Sequence, residues 1–100
     1  MNQKIELEEI KNLLKKSKPV LREKFMVKEI GIFGSLVRGE ERKKSDVDIL
    51  VEFYEVISLL DFVALERELS ELIGEKVDLV MKSALKPRIG ENILKEVIYI

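Results

Sequence analysis

The run Val47-Asp48-Ile49-Leu50-Val51-Glu52-Phe53 constrains this chain more than any other segment. Its β-branched and apolar residues describe a strand. A strand this apolar is covered on both faces, which makes it a central strand with other layers packed on it. Acids nevertheless stand at Asp46, Asp48 and Glu52. Residues two apart on a strand project from one face, so Asp46 and Asp48 bring two carboxylates together.

Around this strand the periodicity alternates. Ile5, Leu7, Ile10, Leu13 and Leu14 recur near helical spacing, and the pattern fades at Ser17 and Pro19. Pro19, with its fixed φ, is suited to open a second short helix carrying Val20, Leu21 and Phe25. Val27 to Phe33 reads as a strand closed by Gly34. Ser58 followed by Asp61 is a capping pattern. Leu59, Phe62, Leu65, Leu69, Leu72 and Ile73 then share one helical face that ends at Gly74. Val77 to Met81 is a third strand, and Ile89, Ile93, Leu94 and Val97 suggest a last helix after Pro87. With no internal repeat, low-complexity tract or linker, the expected architecture is a single α/β (α+β) domain over residues 1–100, helices packed on a small mixed sheet.

The bulk numbers narrow the chemistry. One hundred residues at 46% hydrophobic content suit one compact core that buries roughly two-thirds of the unfolded surface. Eighteen basic and 19 acidic side chains, net charge -1, give no global basic field, so no direct nucleic-acid binding is expected. There is no cysteine and no histidine. Disulfides, thiolate sites, ordinary zinc sites and imidazole bases are thereby excluded, leaving carboxylates as metal ligands and bases; oxygen ligands suit magnesium or manganese. The charged residues from Met1 to Lys18 contain no long apolar run, so neither a secretory signal nor a membrane span is expected, and a cytoplasmic location is the default.

Three features carry chemistry together. Gly34-Ser35 sits where a strand hands over to a short helix; glycine lets the backbone approach a triphosphate, and the N–H groups of the next turn point outward. Alone, the pair reads as a plain tight turn. Asp46 and Asp48 repel unless something neutralises them, and a divalent cation does so. A solvated strand edge is the other reading, which the apolar run around Asp48 opposes. Asp78, inside Val77-Asp78-Leu79-Val80, is a third isolated acid. If its strand lies beside that of Asp46 and Asp48, it completes a three-carboxylate cluster able to ligate metal and help deprotonate a hydroxyl. Its alternative role is a charged residue on an edge strand.

Gly34-Ser35, Arg38-Gly39-Glu40, Ser45-Asp46-Val47-Asp48 and the later Asp78 together resemble the minimal nucleotidyltransferase domain, the smallest members of the polymerase-β-like superfamily. The resemblance covers about half the chain by motif. Val37 departs from it, since many relatives carry alanine there. The resemblance implies that Gly34 and Ser35, with Arg38, hold the phosphates of ATP, and that Asp46, Asp48 and Asp78 are catalytic and bind two magnesium ions. Arg38 could instead brace the turn against Glu40 or Glu41. Lys43 and Lys44 stand beside the site in sequence, as a solvated loop or a phosphate contact.

Stand-alone domains of this size are similar to the antitoxin half of HEPN–MNT toxin–antitoxin pairs, which moves AMP from ATP to a tyrosine of the HEPN ribonuclease toxin. The partner implied is a HEPN toxin, with Pro87-Arg88-Ile89-Gly90 and the apolar end Val97-Ile98-Tyr99-Ile100 as candidate contact surface. That end could equally pack on the domain's own core. Two other functions stand beside this one: a binding-only antitoxin, against which the intact acids count, and a transferase acting on a small molecule, for which no acceptor-binding domain is visible. A nucleic-acid polymerase lacks a basic template-binding region.

Overall fold

The structure, a computed structural model, describes residues 6–40 and 46–100; the expectations for Ile5, Glu41, Lys43, Lys44 and Ser45 fall outside them. Helix α1, Leu7–Phe25, buries Ile10, Leu14, Leu21 and Phe25, one stripe at spacings close to whole turns. The break expected at Pro19 does not occur, and the helix runs straight through it. Pro19 is exposed, so its ring meets no neighbouring layer. Beyond it Leu21 and Phe25 are buried, each contributing about 1.5–3 kcal/mol against the ~3 kcal/mol that an interior proline costs. Burial of the stripe outweighs the lost hydrogen bond.

Strand β1, Val27–Phe33, pairs antiparallel with β2, Val47–Phe53, and β2 pairs parallel with β3, Val77–Met81. Helix α3, Leu59–Ile73, makes the crossover that a parallel pair requires. Ser58 caps it as the sequence suggested, its hydroxyl accepting the Asp61 N–H at 3.1 Å, and Gly74 ends it at φ 81°. Leu65, Leu69 and Ile73 bury. Leu59, expected on the same face, opens the first turn and is 76% exposed.

The four-stranded sheet has the order β3-β2-β1-β4, where β4 is Ile98–Tyr99. Strand β4 was not anticipated. It pairs antiparallel with β1, the Ile100 N–H donates to the Ile30 carbonyl at 2.9 Å, and Ile100 packs on the core. The apolar end therefore serves the chain's own sheet.

Val47, Ile49 and Val51 face the helices with Ile30, Ile32, Val77 and Leu79, joining Ile10, Leu14, Leu65 and Leu69 in the core. Alternation along the strands sends Asp48, Leu50, Gly31, Phe33 and Asp78 to the opposite face. Leu50 is buried there as well, which explains the continuous apolar reading of β2. Helix α4, Pro87–Glu96, opens on Pro87 and buries only Gly90. Of its apolar residues Ile93 is half-buried, while Ile89 and Leu94 are exposed.

Candidate active site

At the end of β1 the chain turns through Gly34 into α2, the single turn Ser35–Arg38. Gly34 has φ 85° and ψ −158°, a region that essentially only glycine occupies. Its carbonyl accepts the N–H groups of Val37 and Arg38, both at 3.1 Å. Crowding adds a second constraint. A Cβ at Gly34 would overlap Asp48 Oδ2 and come within 2.9 Å of Asp48 Cγ. The sequence suggested glycine here for close phosphate approach; the structure adds that the Asp48 carboxylate occupies the space a side chain would need.

This contact follows from register. Phe33 pairs with Asp48 across β1 and β2, and Asp48 pairs with Asp78 across β2 and β3. Neighbouring strands lie about 4.8 Å apart, so the Gly34 turn, Asp48 and Asp78 line up across one end of the sheet. Asp48 is half-buried. Burial pushes its carboxyl up from the usual range, and the nearby charges of Asp78 and Asp46 push it further in the same direction. Arg38 opposes them.

Asp78 is exposed, on β3, which among the described residues is an edge strand of the sheet. The edge-strand role and the register with Asp48 both hold. Among the described residues, no group of three or more acids is gathered closely enough to hold a metal as it stands. The donor set is nonetheless all oxygen and all anionic, and the strain on Asp48 is of the kind a cation relieves, so these residues fit a hard divalent ion.

Arg38 is exposed and doubly paired. Its Nε lies 3.0 Å from Glu40 Oε2 and its Nη2 donates to Glu40 Oε1 at 3.2 Å. Its Nη1 donates to both oxygens of Glu96, at 3.0 and 3.1 Å. Hydrogen bonds to Glu40 and then Glu96 hold the guanidinium still more firmly in its charged form. Bracing by Glu40 is thus present, while Arg38 stays at the mouth of the turn. Glu96 went unseen in the sequence. Gly31 pairs with Tyr99 and Ile32 with Ile98, and the same register carried on sets Glu96 opposite Gly34, but a two-residue strand gives no periodicity to read.

A groove lies elsewhere. It measures about 760 Å³, is lined by Lys18, Arg22, Lys28 and Tyr54 among others, and sits at the far end of β1 from Gly34. At the carboxylate end of the sheet Asp78 and Arg38 are exposed and Asp48 is half-buried.

Residues 14–100 match the model of the nucleotidyltransferase domain family. The protein adenylyltransferase MntA of Thermococcus cleftensis is 56% identical over 94 residues, covering 94% of this chain and 95% of that protein. A solved structure described as a minimal nucleotidyltransferase superposes with a TM-score of 0.79 at 34% identity, covering 97% of this chain and 98% of the other. A rebuilt and re-refined structure of tri-AMPylated Shewanella oneidensis HEPN toxin in complex with MNT antitoxin matches at TM-score 0.66 and 19% identity, over 90% of this chain and 70% of that one; this last is a likeness of fold. With the Gly34 turn set against Asp48 and Asp78, the chain belongs to the nucleotidyltransferase domain family and is a minimal nucleotidyltransferase.

Proposed function

We propose that this nucleotidyltransferase is an antitoxin-type protein adenylyltransferase, one domain over residues 1–100 that moves AMP from ATP to a tyrosine hydroxyl of a HEPN ribonuclease toxin. The observation that carries the reading is the packing of Gly34 against Asp48, in register with Asp78. It sets a phosphate-accepting turn directly beside a repelling pair of acids. The name of the Thermococcus cleftensis relative, at 56% identity, supports a protein acceptor.

The roles follow from chemistry. Gly34, with no side chain, lets the phosphates approach the turn, and Ser35 binds them through its hydroxyl and backbone N–H; the Gly34 N–H itself donates to Glu96. Arg38 meets charge on the leaving pyrophosphate. The tyrosine oxygen forms a bond to the α-phosphorus while the bond to the bridging oxygen breaks, and pyrophosphate leaves with the electron pair. Asp78, exposed at the edge, takes the hydroxyl proton. Magnesium (or manganese), two ions held by Asp46, Asp48 and Asp78, supplies when bound the positive charge that offsets these oxygens.

Intact-mass spectrometry of a HEPN partner incubated with this protein, magnesium and ATP tests the reading. A gain of one or more AMP units, absent with Asp46→Asn, is expected. A stable complex with no gain would instead favour a binding-only antitoxin.

A further inference from the structure

We infer that Glu96 is the positioning residue of the phosphate turn, a single carboxylate that holds the Gly34 N–H and the Arg38 guanidinium in one arrangement. The inference rests on the phosphate role proposed for that turn and extends it to a residue from the other end of the chain.

Glu96 Oε2 accepts the Gly34 N–H at 2.6 Å, and its two oxygens accept from Arg38 Nη1 at 3.0 and 3.1 Å. Gly34 is therefore pinned on two sides. Asp48 fills the space where its Cβ would be, and Glu96 takes its N–H. Neither contact is local, since 62 residues separate Gly34 from Glu96. Glycine adopts φ 85° and ψ −158° freely, but it can adopt many other conformations as easily, so a fixed arrangement needs restraints from its surroundings. A charge-assisted hydrogen bond to its N–H is one such restraint.

Arg38 is restrained by the same group. Glu40 draws on Nε and Nη2, Glu96 on Nη1, and the planar guanidinium is fixed from two directions. The cost of ordering a long side chain is met before a triphosphate arrives, which favours binding. Glu96 itself is held where α4 passes into β4, whose pairing with β1 brings it opposite Gly34. It does not touch the transferred group; it acts through Gly34 and Arg38.

The test is binding of a non-hydrolysable ATP analogue with magnesium, by calorimetry, to wild type, Glu96→Gln, Glu96→Ala, Arg38→Ala and the Arg38→Ala/Glu96→Ala double variant. Thermal melts of each accompany it. Glu96→Ala is expected to weaken binding about tenfold, as loss of a charge-assisted restraint should. Glu96→Gln keeps an acceptor for the Gly34 N–H and should lose only a few-fold, with an unchanged melting temperature. In the Arg38→Ala background Glu96→Ala should cost clearly less than in wild type, a coupling that a purely structural role would not produce. Wild-type affinity in Glu96→Ala, tighter binding in either Glu96 variant, or fully additive effects would overturn the inference while leaving the site reading intact. Should Glu96→Ala fail to fold, Glu96→Gln decides alone: tighter or unchanged binding overturns the inference. Absence of nucleotide binding by wild type would remove both.

Discussion

Asp48 is placed where an acid is least comfortable. It is half-buried, in register with Asp78, two residues from Asp46, and in contact with the Gly34 backbone. Its carboxyl is raised above its ordinary value of 3.8 by burial and by those two acids. A raised carboxyl means that the folded protein binds this proton more readily than the unfolded chain does. Between 3.8 and the raised value, stability therefore falls as pH rises, and above that window the full penalty is present. Asp48→Asn removes it. Without added metal, this variant should melt a few degrees above wild type at neutral pH, with the gap closing as pH falls through that window and gone by about 4, while AMP transfer is lost. A variant less stable than wild type at neutral pH would contradict the assigned strain. Asp46, Asp48 and Gly34 were legible because their chemistry is local: two acids on a strand, a glycine after one. Glu96 was not, because nothing within its own helix marks it out. Its partners lie 62 and 58 residues away.

Helix α1 shows how an element can override its own punctuation. A proline at its thirteenth position read as a boundary, yet the buried stripe from Ile10 to Phe25 carries the helix across it. Pro19 is exposed and removes the N–H that would reach the Lys15 carbonyl. Replacing it should cost no packing and restore that bond, so Pro19→Ala is expected to stabilise the fold by about 1–3 kcal/mol, read from denaturant unfolding with an unchanged slope. Destabilisation would show that the proline restrains the unfolded chain more than it harms the helix. By contrast, α3 was readable at both ends, since the Ser58 cap and the αL Gly74 are decided within one turn. The periodicity of α4 was equally visible, but whether anything covers its apolar face is a tertiary matter, and here Ile89 and Leu94 are left exposed.

That exposure has a consequence for the assembled molecule. A helix tied to the Gly34 turn through Glu96 and presenting Ile89 and Leu94 outward is a fitting surface for the proposed protein acceptor. Ile89→Glu should leave the melting temperature within a degree or two, because an exposed site away from the core contributes little. It should weaken the complex with a HEPN partner about tenfold or more, measured by calorimetry; an unchanged affinity would move the docking surface elsewhere. Among the described residues no helix is long and apolar enough to cross a membrane.

From its residues alone the chain determined that it would be a mixed α/β fold, which segments would be its three longer strands, and which acids and which glycine would stand together as candidates for the chemistry. Those properties follow from side-chain periodicity, local backbone preference and the absence of histidine and cysteine. Tertiary structure decided the rest. Parallel pairing of β2 with β3 put Asp78 beside Asp48, but on an exposed edge; antiparallel pairing of β4 with β1 brought Glu96 to Gly34. The reason is physical: strand register is fixed by which faces are buried together, and that depends on residues far apart in the chain meeting across a sheet.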